Sequence, residues 1–210
     1  MKDLIAKLNW RYAAKRLNGE IIPEGKLNTI LEAIKLSPSS AGLQPYNVIV
    51  ISDKAIKGNI FKTAAPQPQI PDASHLLVFA AWEKITAEQI SDYMNLIAKT
   101  RGVTLESLAQ FQNSINGGIL SRTEEGNFNW AARQAYIALG HAVVAAATEG
   151  IDATPMEGFN ADKLDEILGL SERGLRSVVI MTLGFRDIEN DMLAGAKKVR
   201  RANEDIFISI

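Results

Sequence analysis

Residues Trp130–Gly150 read WAARQAYIALGHAVVAAATEG, and this stretch decides the fold class. It holds the longest apolar region of the chain, Trp130 to Ala147, dominated by alanine and interrupted by Arg133, Gln134 and His141. Those polar positions argue for a helix buried inside the protein and against a membrane span. Gly150 is a plausible stop. Around this helix the pattern alternates. Short apolar or β-branched runs at Asn47–Ser52, Leu76–Trp82 and Ser177–Gly184 read as strands. Helical spacing is expected over Asp3 to about Arg16, over Leu27, Ile30, Leu31 and Ile34 after Pro23, and over Lys54–Thr63. Thr86 with Gln89 forms a capping box for a helix to Arg101. A further helix is expected over Thr104–Ile115, broken by Gly117-Gly118, and Asn160 caps a short helix ending near Gly169. Pro66, Pro68 and Pro71 imply an extended loop. Ile206–Ile210 is strand-like with nothing after it to pair with. Few strands among many helices make an α+β class, expected as one domain over residues 1–210.

Composition narrows the function. The 210 residues carry a formal charge of −1, so no global basic field draws the chain to nucleic acid. Cysteine is absent, which excludes disulfides, thiolate catalysis and cysteine-ligated metals and fits a cytoplasmic location. The N-terminus, MKDLIAKLNWRYAAKR, lacks the apolar core and cleavage site of a secretory signal. No P-loop, Rossmann glycine fingerprint, nucleophile elbow or zinc helix occurs. His75 and His141 lie far apart in sequence and read as structural histidines, so no metal site is expected. Two basic clusters remain: Arg11 with Lys15 and Arg16, and Lys197-Lys198-Val199-Arg200-Arg201. Each is compatible with a phosphate site, but a basic run on a helix or tail is more often a solvated face.

Four segments and a tail change that balance. They are Arg11-Tyr12-Ala13-Ala14-Lys15, Ser37-Pro38-Ser39-Ser40-Ala41-Gly42-Leu43-Gln44-Pro45-Tyr46, Asp72-Ala73-Ser74-His75, Pro155-Met156-Glu157-Gly158-Phe159 and Lys198-Val199-Arg200. In this order and spacing, from about Arg11 to Arg201, the chain resembles the FMN-dependent nitroreductase family, in particular its oxygen-insensitive NAD(P)H nitroreductase and dihydropteridine reductase branch. The resemblance implies a nitroreductase-like fold, with a mostly antiparallel central sheet flanked by helices. It also implies a homodimer that exchanges its C-terminal strand and shares an active site between protomers.

By the same resemblance, Arg11, Lys198 and Arg200 meet the FMN phosphate and Lys15 lies near flavin N1, with Tyr12 and Ala13 between them. Ala13 replaces a family serine. Pro38, Ser39 and Ser40 belong to a loop donated by the other subunit, and Gly42 stands where relatives often carry asparagine. Gln67 and Gln69 take the places of an asparagine and a lysine at the pyrimidine edge. Pro155, Met156, Glu157 and Gly158 form the segment whose glycine N–H points at N5. Read from the residues alone, these serines, glutamines and glycines also suit ordinary turns. The implied activity is ping-pong electron transfer from NADH or NADPH to a flat, electron-poor small-molecule acceptor such as a nitroaromatic or quinone. The flavin supplies the redox chemistry, so no side chain is named as catalytic. Tyr46, Phe111 and Phe128 are candidates for the acceptor pocket or for core packing. Dehalogenation, flavin fragmentation or flavin binding without turnover are the alternatives, since fold does not fix chemistry.

Overall fold

The computed structural model describes residues 2–210. Its centre is a four-stranded antiparallel sheet in the order β1-β2-β4-β3, with β1 Tyr46–Ile51, β2 His75–Trp82, β3 Asp152–Met156 and β4 Leu175–Gly184. After His75, β2 is apolar to its end because both its faces are covered. Leu77 and Phe79 face a core formed by α2 (Glu24–Lys35) and α7 (Glu124–Thr148), while Leu76, Val78 and Ala80 face α3 (Lys54–Thr63) and α8 (Ala161–Leu168). A third cluster joins α5 (Ala87–Arg101), α6 (Leu105–Ile119) and the first turns of α7 through Ile90, Met94, Ile115, Ile119 and Trp130.

The alanine-rich stretch is the inner part of α7. Thr123 caps the helix by accepting from the Gly126 N–H (3.1 Å), and Glu124 and Glu125 complement its first turn. Ala135, Ala138 and Ala142 are buried; side chains this small allow a helix to lie close against a sheet. Among the described residues no helix is long and apolar enough to cross a membrane.

Several sequence expectations are corrected. The first helix, α1 (Lys2–Trp10), ends there instead of continuing to Arg16. Pairing with distant residues takes over there: Leu17 bridges Arg186, Asp187 N donates to the Arg16 carbonyl (3.1 Å) and Asn18 N to that of Phe185 (3.0 Å). The proline segment is not wholly extended. Pro68 precedes a turn of helix, α4 (Gln69–Asp72), in which Pro71 needs no N–H partner. Gly117-Gly118 does not break α6, because buried Ile115 and Ile119 anchor both sides of the pair. β3 was not expected from its composition; it exists because Asp152–Met156 pairs in register with Ile180–Gly184. The tail contains the short α9 (Asn203–Ile206), and Phe207–Ile210 pairs with no strand among the described residues.

Asp191 holds the segment after α1 in place. This buried carboxylate accepts from Lys15 N (2.8 Å), the Tyr12 hydroxyl (3.0 Å) and Leu193 N (2.9 Å). Burial alone would raise its pKa, but these donors outweigh burial and hold it below the ordinary carboxylate value. Burial and the Asp191 contact in turn push the Tyr12 phenol up to about 12.

Two outcomes follow for stability. Gly117 has open space where a Cβ would stand, so Gly117→Ala is expected to stabilise the protein by about 1 kcal/mol in urea unfolding. Asp191→Asn is expected to cost about 2 kcal/mol at neutral pH. A depressed folded pKa stabilises above the unfolded value, so the gap between wild type and variant should be full above about pH 4 and close as pH falls through the folded value.

Candidate functional site

The segment Arg11–Lys15 forms one wall of a cleft of about 320 Å³, and Lys197, Lys198 and Arg200 form the other. The two basic clusters, nearly the whole chain apart in sequence, therefore meet. Lys198 Nζ donates to the carbonyl of Leu8 (2.6 Å) and to that of Arg11, at the C-terminal end of α1 where carbonyls lack helix partners. Arg200 Nη1 donates to its neighbour's carbonyl, that of Val199 (2.6 Å). Among the described residues, none of these cations forms a salt bridge with a carboxylate. Burial lowers the pKa of Arg11, and the charge of Arg200 lowers it further. Lys198 is lowered by burial, then by Arg11 and Arg200. The Arg11 Nε is buried without a hydrogen-bond partner. Such a cluster suits a dianionic group, which would relieve both the repulsion and the unmet donor.

A second patch continues from the first. The Thr154 hydroxyl in β3 donates to the Ala14 carbonyl (3.1 Å), tying the arginine segment to the strand that leads through Pro155 and Met156 to Glu157 and Gly158. Gln69 is buried and its Nε2 contacts Met156 Sδ (3.0 Å), while Gln67 Nε2 donates to the Gly158 carbonyl. The side-chain oxygens of both glutamines are buried and unpartnered. Glu157 and Gly158 are exposed. The Tyr136 hydroxyl on α7 donates to Glu157 Oε1 (2.6 Å), and burial together with this carboxylate pushes the Tyr136 phenol far above its ordinary value. Beneath the turn that carries Gln69, the buried Lys57 donates to the Ala73 carbonyl and to that of Ser74 (3.4 Å). Burial lowers this lysine, and its charge adds to burial in lowering His75.

The serine loop lies elsewhere. Pro38, Ser39, Ser40 and Gly42 do not line the cationic cleft. Ser39 Oγ accepts from Gln44 N (2.9 Å), and Ser40 N donates to Gln134 Oε1 on α7 (2.8 Å). Ala41 (φ 56) and Gln44 (φ 49) adopt left-handed backbone, as does Gly42 (φ 72). At Gly42 the Tyr93 hydroxyl, bonded to the Ala41 carbonyl (2.8 Å), fills the space a Cβ would need. A side chain at that position would have to displace the Tyr93 hydroxyl and adopt left-handed backbone, so glycine suits it in this chain. Of the candidate aromatics, Phe128 is buried beneath the Arg176 guanidinium (3.8 Å) and belongs to the core; Tyr46 meets the Ser37 hydroxyl (3.0 Å), and Phe111 is exposed. His75 meets Ser74 Oγ (2.8 Å), whereas His141 is exposed on α7. Among the described residues no cluster of three or more His, Asp or Glu side chains is placed to hold a metal ion.

Sequence reading missed the residues that hold the site together: Asp191, Thr154, Tyr136 and Lys57. They act through contacts with residues far away in the chain. Only Lys57, a cation within an otherwise apolar helical face, left a trace in the pattern.

Comparison with known proteins identifies the fold and the family. The Nitroreductase family profile matches residues 8–185. A provisionally named NAD(P)H nitroreductase of Staphylococcus haemolyticus is 32% identical over 215 residues, covering 98% of this chain and 96% of its own. YfkO of Bacillus subtilis, also provisionally named an NAD(P)H nitroreductase, is 31% identical, covering 97% and 96%. Among solved structures, a nitroreductase-like protein of Streptococcus mutans superposes with a TM-score of 0.86 at 20% identity, covering 100% of this chain and 99% of its own. A provisionally assigned nitroreductase of Exiguobacterium sibiricum, solved in complex with FMN, superposes with a TM-score of 0.82 at 19% identity, covering 99% and 97%. The chain belongs to the nitroreductase family.

Proposed function

We propose that the protein is an FMN-dependent NAD(P)H oxidoreductase that reduces flat, electron-poor small molecules such as nitroaromatics or quinones, as a homodimer of 1–210 domains with a shared active site. The observation that carries this reading is the convergence of Arg11, Lys198 and Arg200 on one cleft, where among the described residues none of them forms a salt bridge. The residues fit FMN: the cations and the orphaned Arg11 Nε suit its phosphate, and the two unpartnered glutamine oxygens suit an N–H at the pyrimidine edge. FMN, when bound, would supply the two-electron chemistry of a ping-pong exchange between NADH or NADPH and the acceptor.

The chain's own residues bind and orient. Arg11, Lys198 and Arg200 hold the phosphate, with Tyr12 and Ala13 keeping the arginine segment in register. Lys15 places a positive charge where the reduced ring carries negative charge. Gln67 and Gln69 accept from the pyrimidine edge through their side-chain oxygens. Pro155 and Met156 place Gly158 where its N–H would be available to N5 of a bound flavin. Tyr136 keeps Glu157 aligned beside that glycine.

A partner protomer supplies the rest. Pro38, Ser39, Ser40 and Gly42 are turned from their own chain's cleft, so they serve the flavin of the second subunit. Exposed Ile137 and Val144 on α7 and the apolar tail Phe207–Ile210 provide the apolar surface for association, and β1 offers a free sheet edge for that tail.

The purified protein should show a flavin spectrum that NADH or NADPH bleaches under anaerobic conditions and that a quinone or nitroaromatic restores. Protein that stays colourless and does not take up added FMN would refute the reading. Arg11→Gln and Arg200→Gln should each weaken FMN binding about tenfold, by titration of the apoprotein, with Arg16→Gln as control.

A further inference from the structure

The serine loop has a second neighbour. Ser40 and Ala41 line a small cleft of about 210 Å³ together with Phe111 and Ser114 of α6, Trp130 and Arg122. Its floor is apolar: Trp130, Ile115 and Ile119 are buried. Phe111 forms an exposed aromatic lip, and at Gly118 there is open space where a Cβ would stand. One end carries a single cation. The Arg122 guanidinium lies over the Trp130 ring at 5.4 Å, within the range of a cation–π contact that favours this position for the cation. The two acids nearest in sequence are engaged elsewhere, Glu124 with Lys84 (2.9 Å) and Glu125 with Arg176 (3.4 Å). Among the described residues Arg122 forms no salt bridge.

We infer that this cleft selects acceptors bearing an anionic group, such as a carboxylate or sulfonate, whose flat body lies against Trp130 and Phe111 while the anion reaches Arg122. The inference rests on the proposed reading, in which Ser40 faces a partner's flavin: the cleft is then one wall of the acceptor site, which explains why it is smaller than a complete ligand pocket. A flat apolar floor alone would accept any aromatic. The unpaired guanidinium at its end adds a preference of charge, because a planar carboxylate matches its fork with two parallel hydrogen bonds.

The test uses the FMN-loaded enzyme and two compounds of the same shape, 4-nitrobenzoate and 4-nitrobenzamide. With NADH fixed, kcat/KM should favour the benzoate by about tenfold. Arg122→Gln should bring the ratio near one, and Arg122→Lys should keep part of it. Binding without turnover gives an independent readout: benzoate, titrated into the oxidised enzyme without NAD(P)H, should perturb the visible flavin spectrum at lower concentration than benzamide, and Arg122→Gln should abolish that difference. Equal preference in the wild type, or a preference that survives in Arg122→Gln, overturns the inference. So does a loss in Arg122→Gln confined to NADPH relative to NADH, which would assign the guanidinium to the nucleotide. If neither nitro compound is reduced but the Arg122-dependent binding difference persists, the anion site stands and the oxidoreductase reading fails.

Discussion

The site depends on the paired Asp152 and Arg186. The guanidinium reaches the carboxylate through Nη2 (2.6 Å) and Nε (3.0 Å), the Arg186 N–H adds a third bond (2.9 Å), and the aspartate is buried. The same guanidinium lies over Trp10 (4.2 Å) and Tyr12 (4.5 Å). One side chain thus fixes the end of α1, the start of β3 and the end of β4. Buried ion pairs add little net stability compared with apolar packing, but their geometry is exacting and removal of one partner is costly. Here that geometry ties the residues at and just after the end of α1 to the corner between β3 and β4.

From this pin the cationic cleft follows. With the segment after α1 drawn out along Arg186 and held by Asp191, Arg11 faces the returning tail that carries Lys198 and Arg200. Three like charges gather, and among the described residues none forms a salt bridge with a carboxylate; Asp152 offsets the charge on Arg11 only in part, and burial adds to the penalty. A fold keeps such an arrangement against its own stability, and a ligand anion converts that penalty into binding free energy. The same tie passes through Thr154 to the Glu157-Gly158 segment, so the phosphate end and the ring end of the proposed FMN site share one support.

α7 links the two halves of the proposed dimer site. Gln134 holds the serine loop, and Tyr136, two residues on, holds Glu157. Its inward alanines fasten it to the sheet, and its outward Ile137 and Val144 remain free for a partner. One rigid helix therefore sets the loop proposed to serve the partner's flavin and the segment proposed to serve its own.

By itself the sequence determined the elements whose cause is local. β2 was legible because a strand covered on both faces must be apolar throughout, α5 because Thr86 and Gln89 satisfy each other's backbone, and α8 because Asn160 and Gly169 mark its ends. The spaced motifs made the family and the candidate residues legible too, Arg11 and Arg200 among them. The tertiary structure alone decided what depends on distant partners. α1 stops at Trp10 because Arg186, Asp187 and Asp191 claim the next residues. β3 is a strand because β4 lies beside it, and Gln69 is buried because a turn closes over Lys57. Asp191, Thr154 and Tyr136 carry no local signature, since a hydrogen bond between residues far apart in the chain leaves no periodicity in either neighbourhood. The convergence of the two basic clusters belongs to the same class: charge can be counted along a sequence, but only packing brings the charges together.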